Sequence, residues 1–177
     1  RATIPWNANN NFAFHRIDWR RLAEAAVITT VSRYMRQSMW PLGVDPLVIP
    51  NGLSAEALQR PGRDVVAEFR RRTRGRTVLA KVARWDPDKR WMLAIDTVAE
   101  LKRQGWRPLM VARGGVEKHG EEVLSRARGN GLRVVEHSGS DAGPESLLAS
   151  LDRQCDADVI SIRSSLSAET CRLLYRS

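Results

Sequence analysis

Arg84 and Lys89 bracket a tight acidic turn, Asp86-Pro87-Asp88, just after an apolar run, Thr77-Val78-Leu79-Ala80. A guanidinium offers a planar fork of donors and an ammonium a mobile point charge. Beside the amides of a helix N-terminus, the pair suits a diphosphate. The competing reading has both cations facing solvent, neutralised by Asp86 and Asp88. The two aspartates also spell D-x-D, a pattern that can hold Mg²⁺ or Mn²⁺ against a nucleotide. Their place at a strand-to-helix turn favours capping instead, because carboxylates there satisfy free amides and suit the helix dipole.

Two further strand ends carry suggestive residues: Gly114-Gly115 and Arg163-Ser164-Ser165. Paired glycines let a backbone approach a ligand closely, and they serve equally well as an ordinary tight turn. Neither G-x-G-x-x-G nor G-x-x-x-x-G-K-[ST] is present. Near the N-terminus, Trp6 to His15 interleaves four asparagines with aromatic rings. That run suits sugar hydroxyls and sugar C–H faces, or it is a polar loop with buried rings. His119 and His137 stand in polar contexts and read as solvated. Trp19, Trp40, Trp85, Trp91 and Trp106 read as core or interface anchors.

The elements that must position these groups alternate. Asp18 is expected to cap a helix through Ala25, followed by a strand over 27–31. Ser32 then caps a helix to about Trp40, stopped by Pro41 and Gly43. Strands are expected at 47–49, 77–83, 109–112, 133–135 and 158–162. Helices are expected at 64–72, 89–104, up to about Arg128, 145–154 and from Ser167. Met92, Ile95 and Ala99 give the 89–104 segment its apolar face. Strand–helix alternation predicts an α/β fold with parallel sheets and right-handed crossovers. In such sheets ligands sit beyond the C-terminal strand ends.

The 177 residues allow one domain or parts of two. No apolar run approaches the roughly 20 residues that span a membrane. Cys155 and Cys171 make neither a disulfide framework nor a metal-ligand set, so a reducing, cytoplasmic setting is expected. The net charge is +9, carried by 25 Arg and 4 Lys spread along the chain. The one cluster, Arg70 to Arg72 with Arg74 and Arg76, lies at a predicted helix end where cations suit the dipole. Nucleic acid is therefore not favoured as a partner. Attraction to an anionic membrane surface or a phosphorylated substrate agrees with the charge as well as nucleic acid does.

Five blocks in order resemble the group 1 glycosyltransferases, the glycogen synthase-like retaining sugar-nucleotide transferases. Val27 to Ser32 is similar to that family's a-V-i-t-V-S strand-to-helix entry, and Gly43 to Gly52 to its G-v-x-p-x-x-V-I-P-N-G block. Val82 to Lys89 resembles v-G-R-l-x-x-x-K-G, Leu109 to Gly115 resembles l-v-i-v-G-x-G, and Leu173 to Ser177 resembles l-Y-x-x-a. The resemblance implies two Rossmann-like domains facing across a cleft (the GT-B fold). It makes residues 1–52 the last part of the acceptor domain, 53–62 the interdomain crossing and 63–177 the first part of the donor domain.

The resemblance also implies that Arg84 and Lys89 grip the donor's diphosphate, that Gly114 approaches the donor, and that Ile162 and Arg163 lie near its base. A nucleotide-sugar donor and a hydroxyl acceptor (a saccharide, a lipid-linked or a small molecule) are the implied partners, with peripheral membrane contact compatible and no metal or other cofactor expected. Ala83 and Arg90 stand where the family often has glycine. Asn7 is the loose counterpart of a histidine that sits over the transferred sugar in several members, and His15 is its substitute. The family's E-x7-E motif would follow Ser177. By this resemblance the 177 residues are an internal piece, expected to be marginally stable and inactive alone. The alternatives are an epimerase of the same fold, a non-catalytic nucleotide-binding module and an Arg-rich nucleic-acid binder.

Overall fold

The computed structural model describes residues 2–5, 17–137, 143–153 and 156–176. The chain divides into two compact units, Arg1–Ser54 and Ala55–Ser177. Each carries its own all-parallel sheet, so the fold is α/β. Among the described residues no helix is long and apolar enough to cross a membrane.

The smaller unit has three strands in the order β1 (Ala2–Pro5), β2 (Ala26–Thr30) and β3 (Leu47–Val48). Helix α1 (Trp19–Ala25) starts where Asp18 accepts a hydrogen bond from the Arg21 amide at 3.1 Å. Helix α2 (Arg33–Met39) starts where the Ser32 hydroxyl accepts from the Met35 amide at 3.2 Å. Both are side-chain N-caps, as the sequence predicts. Pro41 does not simply stop α2. It sits in a 3-10 turn, Trp40–Leu42, which ends at Gly43 in the left-handed region (φ 79°). Trp19, Ile28, Met39 and Val44 form the core.

Trp40 is not a core anchor: it is 54 % exposed, with its indole N–H donating to Asp45 at 2.9 Å. Arg36 adds two bonds to the same carboxylate, at 2.5 and 2.6 Å. The Arg36 bonds first, then that of Trp40, hold the Asp45 carboxyl below its ordinary 3.8, at about 2. A depressed carboxyl stabilises the fold above its unfolded pKa, and the contribution is lost as pH falls through the folded value. The Trp40 indole proton shift is therefore expected to stay flat above about pH 4 and to titrate with a midpoint at about pH 2. Asp45→Asn should abolish that transition.

In the larger unit, α3 (Ala55–Leu58) and α4 (Arg63–Arg72) precede β4 (Thr77–Val82). Then come α5 (Trp91–Arg103), β5 (Pro108–Arg113), α6 (His119–Gly129), β6 (Val134–Glu136), α7 (Pro144–Arg153), β7 (Val159–Ile162) and α8 (Ala168–Arg176). The short helix α3 lies in a stretch that reads as polar loop in the sequence. The strand order is β4-β5-β7-β6, all parallel.

Period-two alternation along the strands splits the core into two layers. Leu109, Val111, Ile160 and Ile162 face Phe69 of α4, Leu147 and Leu151 of α7, and Leu173 of α8. Met110, Ala112 and Val159 face Trp91, Ile95 and Val98 of α5 and Val123 and Ala127 of α6. Helices therefore cover both faces, as parallel strands require.

The N-terminal strand ends are tied by polar bonds. Lys102 Nζ donates to Asp158 at 2.6 Å and to the Gly131 carbonyl at 3.2 Å, and the Arg133 amide donates to the same carboxylate at 2.7 Å. Arg76, from the arginine cluster, donates to the carbonyls of Pro108 and Ala157 at 2.7 and 2.5 Å. Arg71 and Arg72 engage Glu68. Part of the basic surplus thus holds the fold. Trp106, at this end, is 54 % exposed rather than buried.

Candidate functional site

The topology of the larger sheet singles out one crevice. The helix leaving β5 (α6) packs on one face and the helix leaving β7 (α8) on the other, although the strands are neighbours. Chains departing to opposite faces open a gap between the two C-terminal strand ends, where open α/β sheets bind ligands. Arg113 crosses this gap: its Nε donates to the Ser164 carbonyl at 3.3 Å and its Nη2 to the Ser165 hydroxyl at 3.4 Å. The Ser164 hydroxyl is buried and has no partner. Arg113 had no distinguishing spacing in the sequence. Its position is visible only in the pairing of β5 with β7, whose partners lie 49 residues apart in the chain.

Arg84 and Lys89 lie one strand over, beyond β4. The loop carrying them is held by two indoles. Trp91 is fully buried, and its N–H donates to the Arg84 carbonyl at 2.7 Å. Trp85 packs against Trp91 with ring centroids 4.2 Å apart, and its amide donates to Glu117 at 3.2 Å. The ring of Trp85 fills the space that a side chain on Gly114 would need, and a Cβ on Gly120 would stand 2.6 Å from its Cδ1. Gly114 is thus a glycine because an indole approaches it. The Trp85 ring is therefore a packing reason for this glycine, beside the expected approach of a donor.

With the loop backbone fixed, Arg84 points outward with its side chain 70 % exposed, 3.8 Å from Asp86. Lys89 is half-buried, and among the described residues no carboxylate lies within 4.0 Å of it. The carboxylate of Asp86 accepts from the Asp88 amide at 2.9 Å and so caps the turn. The expected helix over 89–104 is corrected: Pro87–Lys89 form a 3-10 turn, and α5 begins at Trp91. Lys89 therefore precedes the α-helix instead of lying in its first turn.

Arg90 joins the two helices with φ 52°, left-handed backbone that costs a non-glycine residue roughly 1–2 kcal/mol. Glycine would relieve this but gives back part of the gain as chain entropy. Arg90→Gly is expected to stabilise the unit by about 0.5–1 kcal/mol, read as a higher urea midpoint at unchanged slope.

Of the other expected site residues, Arg163 is exposed at the crevice rim, 3.3 Å from Glu136. Ile162, at the end of β7, has its side chain fully buried in the core, and its carbonyl accepts from the Gly114 amide at 3.3 Å. Asn7 and His15 lie outside the described residues. Neither described histidine is solvated. His137 is buried between the hydroxyls of Ser150 (2.6 Å) and Ser146 (3.2 Å). The His119 ring contacts Glu122 at 2.9 Å, with its Nε2 buried. Burial pushes the Cys171 thiol up, which leaves it protonated and a poor nucleophile at neutral pH.

A recess of about 70 Å³ between Trp85, Gly115, Glu117, Gly120 and Arg163 adjoins the crevice. It is far below the roughly 300–1,000 Å³ of small-molecule pockets. The Glu117 carboxylate, close against Gly115, disfavours an anion at that glycine and leaves the Arg84–Lys89 side as the better anion seat.

Fold and site define a parallel α/β unit with a cation-bearing C-terminal strand edge. Compared with family models, curated proteins and solved structures, the chain matches none.

Proposed function

We propose that the chain belongs to a retaining glycosyltransferase of GT-B architecture, and that the larger unit binds the diphosphate of a nucleotide-sugar donor at Arg84 and Lys89. The observation that carries this reading is the locked loop. Two buried indoles fix its backbone and leave two cations displayed at a strand's C-terminal end, Lys89 with no carboxylate within 4.0 Å among the described residues. Preorganised cations of this kind stabilise charge that grows on a leaving group. In the transfer, the bond between the sugar's anomeric carbon and the donor phosphate breaks as the acceptor hydroxyl attacks the same face. The acceptor proton passes to the departing phosphate oxygen. Arg84 and Lys89 would hold the resulting diphosphate and need no metal for it. The left-handed backbone at Arg90 also supports the reading, because that is where the resembling family carries glycine.

Calorimetric titration with UDP, GDP and ADP, beside the monophosphates, tests the proposal. The diphosphates are expected to bind about tenfold or more tightly than the monophosphates, since the second phosphate supplies the charge-assisted bonds. Equal affinity for mono- and diphosphates would count against it. So would stronger binding of a short DNA duplex with a steep salt dependence, which is the mark of a multi-phosphate contact.

A further inference from the structure

Helix α4 has two working faces. Val65 and Phe69 pack into the core, while Arg63, Val66, Ala67 and Arg70, at i, i+3, i+4 and i+7, line an open groove of about 650 Å³, with Val66 also partly buried against the core. Arg60 and Pro61 close one end and Arg176 of α8 lines a wall. The groove has the size of a small-molecule site. Four of its seven lining residues are arginines and none is acidic. Among the described residues, no carboxylate lies within 4.0 Å of Arg60, Arg63 or Arg176. Glu68 is engaged by Arg71 and Arg72, and Asp152 by Arg72, while Asp64 of the first turn of α4 does not line the groove. Several guanidiniums around one concavity repel each other unless an anion joins them, and a guanidinium fork matches phosphate oxygens in pairs.

We propose that this groove binds a phosphate-bearing ligand with an apolar portion. Arg60, Arg63 and Arg176 hold the phosphate, and the apolar portion lies along Pro61, Val66 and Ala67. This second anion site does not rest on the nucleotide-sugar reading. Its ligand is either a soluble phosphate compound or the headgroup of an anionic phospholipid.

The test uses the 177-residue chain carrying Arg84→Ala and Lys89→Ala, so that the strand-edge site is removed. Inorganic pyrophosphate is titrated by calorimetry, with and without the further changes Arg63→Gln and Arg176→Gln, which keep helix propensity. The doubly substituted chain is expected to bind pyrophosphate, and each added change to weaken binding about tenfold, the loss of one charge-assisted pair. Phosphatidylcholine vesicles with and without phosphatidic acid then identify the source. Displacement of pyrophosphate only by the acidic vesicles assigns a lipid headgroup, and no displacement assigns a soluble phosphate. No pyrophosphate binding, or affinity unchanged by Arg63→Gln and Arg176→Gln in a chain of unaltered circular dichroism, overturns the site. The nucleotide-sugar reading fails on a different result, unchanged UDP affinity in the Arg84→Ala and Lys89→Ala chain.

Discussion

Gly114→Ala is expected to destabilise the larger unit by about 2–3 kcal/mol, the cost of forcing a methyl group into a filled core. The indole of Trp85 occupies the position the new methyl would take, and Trp85 has little freedom to withdraw. Trp85 is 4 % exposed, packs at a tilt of 47° against the fully buried Trp91 and is flanked by Gly120. A retreat would pull on the Trp85 amide bond to Glu117 and on the loop that displays Arg84 and Lys89. Trp85→Leu opens the slot and should cost a comparable amount alone, through the cavity it leaves. The two changes share one space, so they should not add. On the Trp85→Leu background, Gly114→Ala should cost less than about 1 kcal/mol. Urea unfolding of the four chains measures this. Additive losses would show that Gly114 is a glycine for another reason.

Arg84→Ala and Lys89→Ala should have the largest effect on ligand binding. A hydrogen bond to a charged group contributes roughly 1.5–3 kcal/mol, so each change should weaken diphosphate binding about 10- to 100-fold. Stability should barely change, because Arg84 is exposed and makes only a 3.8 Å contact with Asp86. Arg84→Lys keeps the charge and loses the fork, so it should recover only part of the affinity. An ordinary charged turn would give a different pattern, with small changes for all three variants.

Local chemistry was legible in the sequence. Asp18 and Ser32 cap the helices they are expected to cap, while Asp86 caps the 3-10 turn that precedes α5. The strand and helix periods gave a parallel α/β chain, because backbone geometry writes itself into spacing. What spacing does not show shares a cause, dependence on distant partners. Gly114 meets Trp85 from 29 positions away, and Arg113 meets Ser164 from 51 away. His137 looks solvated until α7 brings Ser146 and Ser150 against its ring. The start of α5 is hidden for a different reason: a left-handed residue normally announces itself as glycine, and this chain uses Arg90. The strand-edge cations were visible as residue types, while the two indoles that fix their loop were visible only as generic anchors.

The most direct measurement is a calorimetric titration of UDP, GDP and ADP into the chain and into its Arg84→Ala, Lys89→Ala double variant, both checked by circular dichroism. The account predicts binding of at least one diphosphate by the chain and loss of about 100-fold or more in the double variant, the sum of two charged contacts. Binding of equal strength by both folded chains would place the nucleotide elsewhere and contradict the proposed diphosphate site.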